Sequence, residues 1–318
     1  MQSKVFSKYD VITVGEVGYS DPENALQYVS AKQNEMNMIF LFDVMDLGVD
    51  PRERYDFKGW KLSEMKQKVQ KITSFAQGTD GWTTAFLENH DQARSISRFA
   101  NDTPEHRVKS AKLLCILLVS LTGTLFIYQG QELGMTNVPS HWGIEEYLDI
   151  STINYYNQYK EQHGPAALSC VMKNLQLLAR DNARTPMQWN DSVNGGFSTG
   201  KPWMRVNDNH TEINANEQVA NPDSVFCFYK EALKIRKQYK DVLIYGSLEI
   251  LDVENEKTFS FLKRKEGKSA YIVLNFTSEE LEFTPLVEGK LELILTNEHS
   301  FESSKLSPYG GRLYMLSG

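Results

Sequence analysis

Apolar and polar positions follow three rhythms along these 318 residues, and each rhythm predicts a different kind of element. Up to about residue 135, short apolar runs alternate with helical patterns. Val11, Ile12, Thr13 and Val14 form a run of strand formers that Gly15 breaks. "MIFLFDVMDL" at 38–47 predicts a second buried strand, and "WTTAFLENHD" at 82–91 a third that opens apolar and closes on polar groups. "TLFIYQGQE", from Thr124, predicts a fourth. Between them Leu62, Met65, Val69 and Ile72 recur at helical spacing within 60–73. A further helix is expected with Thr103 as cap, Pro104 and Glu105 in its first turn and Gly123 past its end. Strands parted by helices predict βα units and a parallel sheet.

The second rhythm covers residues 135–221. This stretch is polar and irregular, marked by Pro139, Pro165, Pro186, "NGG" at 194–196 and Pro202. So long an insertion in a compact domain is usually functional. A helix resumes at about 222–239. From Val242 the third rhythm begins: "TFSFLKRK", "SAYIVLNF", "EELEFTP", "KLELILTN" and "GRLYMLS" are short strand-like runs parted by turn residues. They predict a closing all-β domain.

Composition narrows the classes of function. The chain is 41% hydrophobic, with 34 Lys and Arg against 41 Asp and Glu and a formal charge of −7. Basic clusters such as Lys263, Arg264 and Lys265 are short and mixed with acids, so nucleic acid is not an expected partner. No Gly-rich phosphate loop occurs. Cys115, Cys170 and Cys227 are too scattered for a disulfide framework or a zinc site, and no cofactor or metal is expected. Cys115 sits in "KLLCILLVSL", where it reads as a small buried hydrophobe. Ser120, Thr122, Gly123 and Thr124 interrupt that run, which makes it a poor membrane span. The first ten residues lack the apolar core of a signal peptide. The Asn-x-Ser/Thr triplets at Asn101, Asn209 and Asn275 then read as chance, and a cytoplasmic home is expected.

Two acids each follow a strand candidate: Glu16 after "VITVG" and Asp91 after "AFLENH". In a parallel barrel the strand ends open onto one face, so residues distant in sequence share a site. Two carboxylates beside a histidine, without a nucleotide or metal motif, suit glycoside hydrolysis. Residue type alone leaves other roles open: a strand-end Glu often serves as a helix cap or ion-pair partner, and His90 as a hydrogen-bonded scaffold residue. Glu132 in "YQGQELG" also ends a strand and is read as structural. Trp189 and Trp203, in the insertion, are candidates to line a sugar site.

"TVGEV" at 13–17, followed by "ENHDQARSISRF" at 88–99, resembles two signature segments of the α-amylase clan, family 13 of the glycoside hydrolases. The likeness continues through "SLTGTLFIYQGQELGM" (120–135), "ARDNARTPMQWN" (179–190), "NGGFSTGKPWMRVN" (194–207) and "EALKIRKQYKDVLIYG" (231–246). Together these resemble the α-glucosidase branch of maltases, isomaltases and oligo-1,6-glucosidases. "VGEVGYSDPENALQYVSA" resembles the yeast maltase and isomaltase type more than bacterial forms. The resemblance implies an α/β fold: the C-terminal half of a (β/α)8 barrel, strands five to eight, over residues 1–240 with its insertion at 135–221. A C-terminal β-sandwich would cover 241–318. It also implies roles. Glu16 becomes the general acid/base, and Asp91 the carboxylate that stabilises the transition state and holds sugar hydroxyls. His90 would hydrogen-bond the same ring, and Arg184 the non-reducing end of that glucose. An acid of this kind needs its proton near neutral pH, while Asp91 must stay ionised.

The family's retaining mechanism uses an aspartate nucleophile with an arginine two residues before it. None of the fifteen residues ahead of Glu16 carries that pattern. The resemblance therefore implies a chain that begins in the helix before strand five, with Met1 an internal methionine of a longer parent and activity on its own lost. The expected substrate is a disaccharide or short oligosaccharide with a terminal α-linked glucose: maltose, isomaltose or sucrose. Linkage preference, transglycosylation and oligomeric state stay open. So does a non-catalytic remnant or scaffold, as in the transporter heavy chains that resemble this clan but carry a membrane span.

Overall fold

The computed structural model describes residues 2–18 and 21–317. Strand β1 (Val14–Val17) pairs in parallel with β2 (Met38–Leu41), which sets Glu16 opposite Phe40. Strand β3 (Thr84–Ala85) pairs in parallel with β4 (Thr124–Leu125), and a parallel bridge from Ile39 to Thr83 joins the two pairs. The order is β1-β2-β3-β4, so all four C-terminal ends lie along one edge. Helices α1 (Pro22–Val29) and α2 (Leu62–Ser74) lie in the connections, followed by α3 (Ser95–Phe99) and α4 (Arg107–Ser120). Helix α2 buries Leu62, Met65, Val69 and Ile72, the stripe that its spacing predicts.

Several bounds differ from expectation. The second strand stops at Leu41, because the chain then coils: the Asp46 N–H donates to the Phe42 carbonyl, and the Leu47 N–H to that of Val44. Thr103 does not cap α4. The Asn101 side chain accepts from the Thr103 N–H at 3.0 Å in a local turn, and the helix starts four residues later. Gly123 does end it. Its φ is +116°, and a Cβ there would stand 2.7 Å from the Thr83 carbonyl oxygen, so only glycine lets β4 enter beside β3.

The insertion is less irregular than its sequence predicts. It contains α5 (Ile150–His163) and α6 (Leu168–Leu178), then the short α7 (Asp181–Arg184) and α8 (Ala215–Ala220). Helix α5 escapes pattern reading because it packs through Tyr155, Tyr156 and Tyr159 and has no aliphatic stripe; these rings meet a core around Trp142, Val171 and Leu175. Helix α9 (Val225–Gln238) begins at Ser224, whose hydroxyl accepts from the Cys227 N–H at 3.0 Å, and α10 (Lys240–Leu243) follows.

The closing segment holds β5 (Ser247–Ile250), β6 (Thr258–Lys265), β7 (Lys268–Asn275), β8 (Leu281–Glu282), β9 (Lys290–Thr296), β10 (Lys305–Leu306) and β11 (Gly311–Ser317). Five of them form an antiparallel sheet in the order β5-β6-β7-β11-β9, and β8 pairs with β10. One face presents Phe259, Phe261, Ile272, Leu274 and Leu313 to the core that also contains α4. The other packs Leu262, Tyr271, Val273 and Tyr314 against Phe283 and Leu306 of the small ribbon side. Helix α4 lies between the two sheets, and every residue from Leu113 to Val119 is at most 1% exposed. Cys115 is among them, and burial pushes its thiol well up. The Arg236 guanidinium donates to the carbonyls of Val119, Leu121 and Gly123 at the end of α4.

Among the described residues no helix is long and apolar enough to cross a membrane. The three glycosylation-like asparagines are all engaged. The amide of Asn101 donates to the Tyr309 hydroxyl, that of Asn209 to the Thr136 hydroxyl, and that of the buried Asn275 to the carbonyls of Glu279 and Ser307.

Candidate active site

The loop after β3 and the short helix α7 bring three of the four sequence candidates into contact. Arg184 Nη2 donates to Asp91 Oδ1 at 2.6 Å, and its Nε donates to the His90 carbonyl at 2.9 Å. His90 Nε2 lies 3.6 Å from the same Asp91 oxygen. Asn89 fixes the turn, its side-chain oxygen accepting from the Asp91 N–H at 2.8 Å. Arg54, from the loop after β2, donates to the Asp91 carbonyl.

A second acid completes the arrangement. Asp149 Oδ2 accepts from Arg184 Nη1 at 2.7 Å, so one guanidinium fork spans two carboxylates. Arg180 stands behind both acids, 3.7 Å from Asp91 and 3.8 Å from Asp149. The other oxygen of Asp149 caps α5 by accepting from the Ser151 and Thr152 N–H groups. Asp181, in the first turn of α7, accepts from the N–H groups of Leu148 and Asp149 and from the Thr152 hydroxyl. The insertion thus sets Arg184 from both ends.

Electrostatics follow this geometry. Burial works to raise the Asp91 carboxyl, but the Arg184 hydrogen bond and the charges of Arg180, His90 and Arg184 outweigh it and hold the group below the usual range. Burial would lower the Arg184 guanidinium; its bonds to Asp91 and Asp149 raise it instead. Beneath the site lies a buried acid of opposite character. Burial pushes the Glu88 carboxyl up to about 7, against the nearby charge of Arg94 and the bond that it accepts from the Ser95 N–H. Glu132, expected as structural, accepts from the Gly130 N–H at 2.8 Å, and burial raises its carboxyl as well.

Glu16 stands apart. It is exposed on β1, and among the described residues no ion pair or hydrogen bond joins its carboxylate to the cluster. Parallel register and strand alternation place it on the face of Phe40, whose ring meets Phe86 and Phe126 edge-on at 5.0 and 4.7 Å. Of the two tryptophans, Trp203 donates through Nε1 to the Arg184 carbonyl at 2.9 Å and packs edge-on against Phe197; both Trp203 and Trp189 are exposed. Among the described residues no group of three or more His, Cys, Asp or Glu has the arrangement to hold a metal ion.

Sequence reasoning missed Asp149, Arg54 and the buttress Asp181. "LDIST" at 148–152 carried a usable signal, since an aspartate followed by a short polar turn is a helix start. It was hidden in a stretch read as irregular.

The acids, histidine and arginine fork that the resemblance implies for a glycoside hydrolase are thus gathered beyond the ends of a parallel sheet, except for Glu16. Residues 1–246 match the catalytic domain of alpha amylase, and the chain belongs to that family of glycoside hydrolases. Among curated relatives it is 51% identical to an alpha-glucosidase of Candida albicans, over 99% of this chain and 56% of that protein. It is 40% identical to an oligo-1,6-glucosidase of Saccharomyces cerevisiae, over 99% of this chain and 55% of that protein. The chain thus spans about half the length of these relatives. Of solved structures, isomaltulose synthase from Erwinia rhapontici superposes with a TM-score of 0.93 at 33% identity, covering 100% of this chain and 57% of that one. Trehalose-6-phosphate hydrolase from Bacillus licheniformis gives 0.92 at 31%, over 100% and 58%.

Proposed function

We propose that this chain carries the acid/base and sugar-holding groups of a cytoplasmic, retaining α-glucosidase acting on terminal α-linked glucose of maltose, isomaltose, sucrose or short oligosaccharides. The observation that carries the reading is the fork of Arg184 across Asp91 and Asp149, with His90 on the same Asp91 oxygen. Residues 1–240 are read as the second half of a (β/α)8 barrel and 241–318 as its β-sandwich.

In this reading Glu16 gives its proton to the departing glycosidic oxygen as the C–O bond breaks, and later takes one from the attacking water. Asp91, held ionised by its cations, faces the positive charge that develops on the ring. His90 and Arg184 bind ring hydroxyls and fix the orientation. The reaction needs no cofactor or metal in this reading. The retaining route also needs a nucleophilic carboxylate about 5–5.5 Å from the acid. None of the fifteen residues ahead of Glu16 carries the nucleophile's pattern, so in this reading the nucleophile is assigned to a segment outside this chain.

One observation favours a second reading, a scaffold that keeps the fold without turnover: Glu16 is exposed and out of contact with Asp91. Hydrolysis of p-nitrophenyl α-glucoside separates the two. The chain alone should be inactive, and adding the segment that precedes the equivalent acid in an alpha-glucosidase relative should restore turnover. Glu16→Gln should then cost about 10²–10⁴-fold. Turnover by the chain alone, lost in Glu16→Gln, would show a nucleophile among its own residues and overturn that assignment. A folded complex without turnover supports the scaffold.

A further inference from the structure

Helix α5 carries two parallel rows of side chains along one flank. Tyr155, Tyr159 and His163 follow each other at one-turn spacing, with ring centroids 6.2 Å apart for the first pair and 4.4 Å for the second. Tyr55 extends the series at 5.1 Å from Tyr155, anchored by its hydroxyl to that of Thr152. One residue earlier at each step, Asn154, Gln158 and Gln162 form a second row, and all three are exposed. Both rows line a groove of about 710 Å³, bounded by residues 52–56 on one side and α6 on the other. That volume is typical of a small-molecule site. The aromatic row runs about 12 Å at 1.5 Å per residue, room for more than one sugar ring.

The groove's chemistry restricts its ligand. Its two arginines are committed, Arg52 to Asp50 and Arg54 to the Asp91 carbonyl, while Glu53 and Asp56 line the same wall. An anion finds no uncommitted arginine there. The exposed amides each offer a donor and an acceptor, and the half-buried rings of Tyr155 and Tyr159 offer apolar surface tipped with hydroxyls, while Tyr55 is buried. A pyranose chain is the complement: C–H faces for the rings and hydroxyls for the amides. We propose that this groove is a second saccharide-binding site, selective for a neutral di- or trisaccharide, which adjoins the Asp91 cluster through Arg54 but holds its ligand without the Asp91 carboxylate. It rests on the proposed function only in the choice of α-glucosides as probes.

Cys170 supplies the readout. It lines the groove and is exposed, whereas Cys115 is buried and Cys227 half-buried. In the full chain carrying Cys227→Ser, saturating maltotriose should slow the labelling of Cys170 by a thiol reagent several-fold, and glucose 6-phosphate should not. Tyr159→Ala and the exposed-site change Gln158→Ala should each remove most of that protection, and the second leaves the packed face of α5 untouched. Asp91→Asn should keep it. Labelling indifferent to maltotriose in folded protein would overturn the proposal. So would protection lost in Asp91→Asn but kept in both groove variants, since the sugar would then sit at the Asp91 cluster. Protection without any glucosidase turnover leaves the groove standing and counts only against the enzymatic reading.

Discussion

Oδ1 of Asp91 meets Arg184 Nη2, Arg180 Nε and His90 Nε2 at 2.6, 3.7 and 3.6 Å. A carboxylate so placed is ionised well below neutral pH, which suits a group that must face positive charge. The folded value lies below the unfolded one, so the pairing stabilises the fold above the ordinary carboxylate pKa and loses that contribution as pH falls through the lowered value. Arg184→Lys replaces a fork by a point charge that cannot span Asp91 and Asp149 together. We expect the Asp91 carboxyl to move up toward its ordinary value in the variant, measured by carbon-detected NMR titration; an unchanged midpoint would mean that Arg180 and His90 suffice. The sequence displayed His90, Asp91 and Arg184 in recognisable strings. It did not display Asp149, because an acid's partner across 35 residues is set by how α5 packs, and no local pattern encodes that.

Among the elements, the junction of α4 with β6 holds the least expected charge. Lys263 lies in a short basic triplet, yet it is fully buried, its Nζ donating to the Thr122 hydroxyl beside Arg236. Strand β6 is covered on both faces, so alternation gave no cue to the buried side. Burial, with the charge of Arg236 adding to it, pushes Lys263 down to about 7. An unfolded lysine titrates at about 10.4. Between those values the unfolded chain binds more protons, so stability rises with pH across that window. Lys263→Met should abolish the rise and stabilise the protein at pH 7 by on the order of 3 kcal/mol. Urea unfolding at pH 7 and pH 9.5 checks both effects, and a pH slope that survives the substitution would place its origin elsewhere.

For the whole molecule, the core does not stop where the sequence pattern changes. The turn-rich runs made the all-β segment legible, and four of the five quoted runs fall on β6, β7, β9 and β11 closely. The short β5 and β10 were missed, since strands of two to four residues leave little pattern. What no pattern revealed is that one apolar cluster runs from Ile39 and Leu41 through α4 to Phe261, Ile272 and Leu313. Gly311 marks the closeness of that contact: a Cβ there would meet Ile116 and Leu274 at 3.0 Å. We therefore expect a single cooperative transition on heating, with far- and near-ultraviolet circular dichroism coinciding. Two resolved transitions would show the parallel and antiparallel parts melting separately.

At the opposite end of the molecule, β1 pairs with β2 alone among the described residues, and the run leading into it leaves Val11, Ile12 and Val14 exposed, Ile12 by 77%. A strand margin that is both apolar and unpaired is a template for further strands. Wherever that margin meets solvent, the tendency to associate through it grows with concentration and does not depend on how strongly the rest is folded.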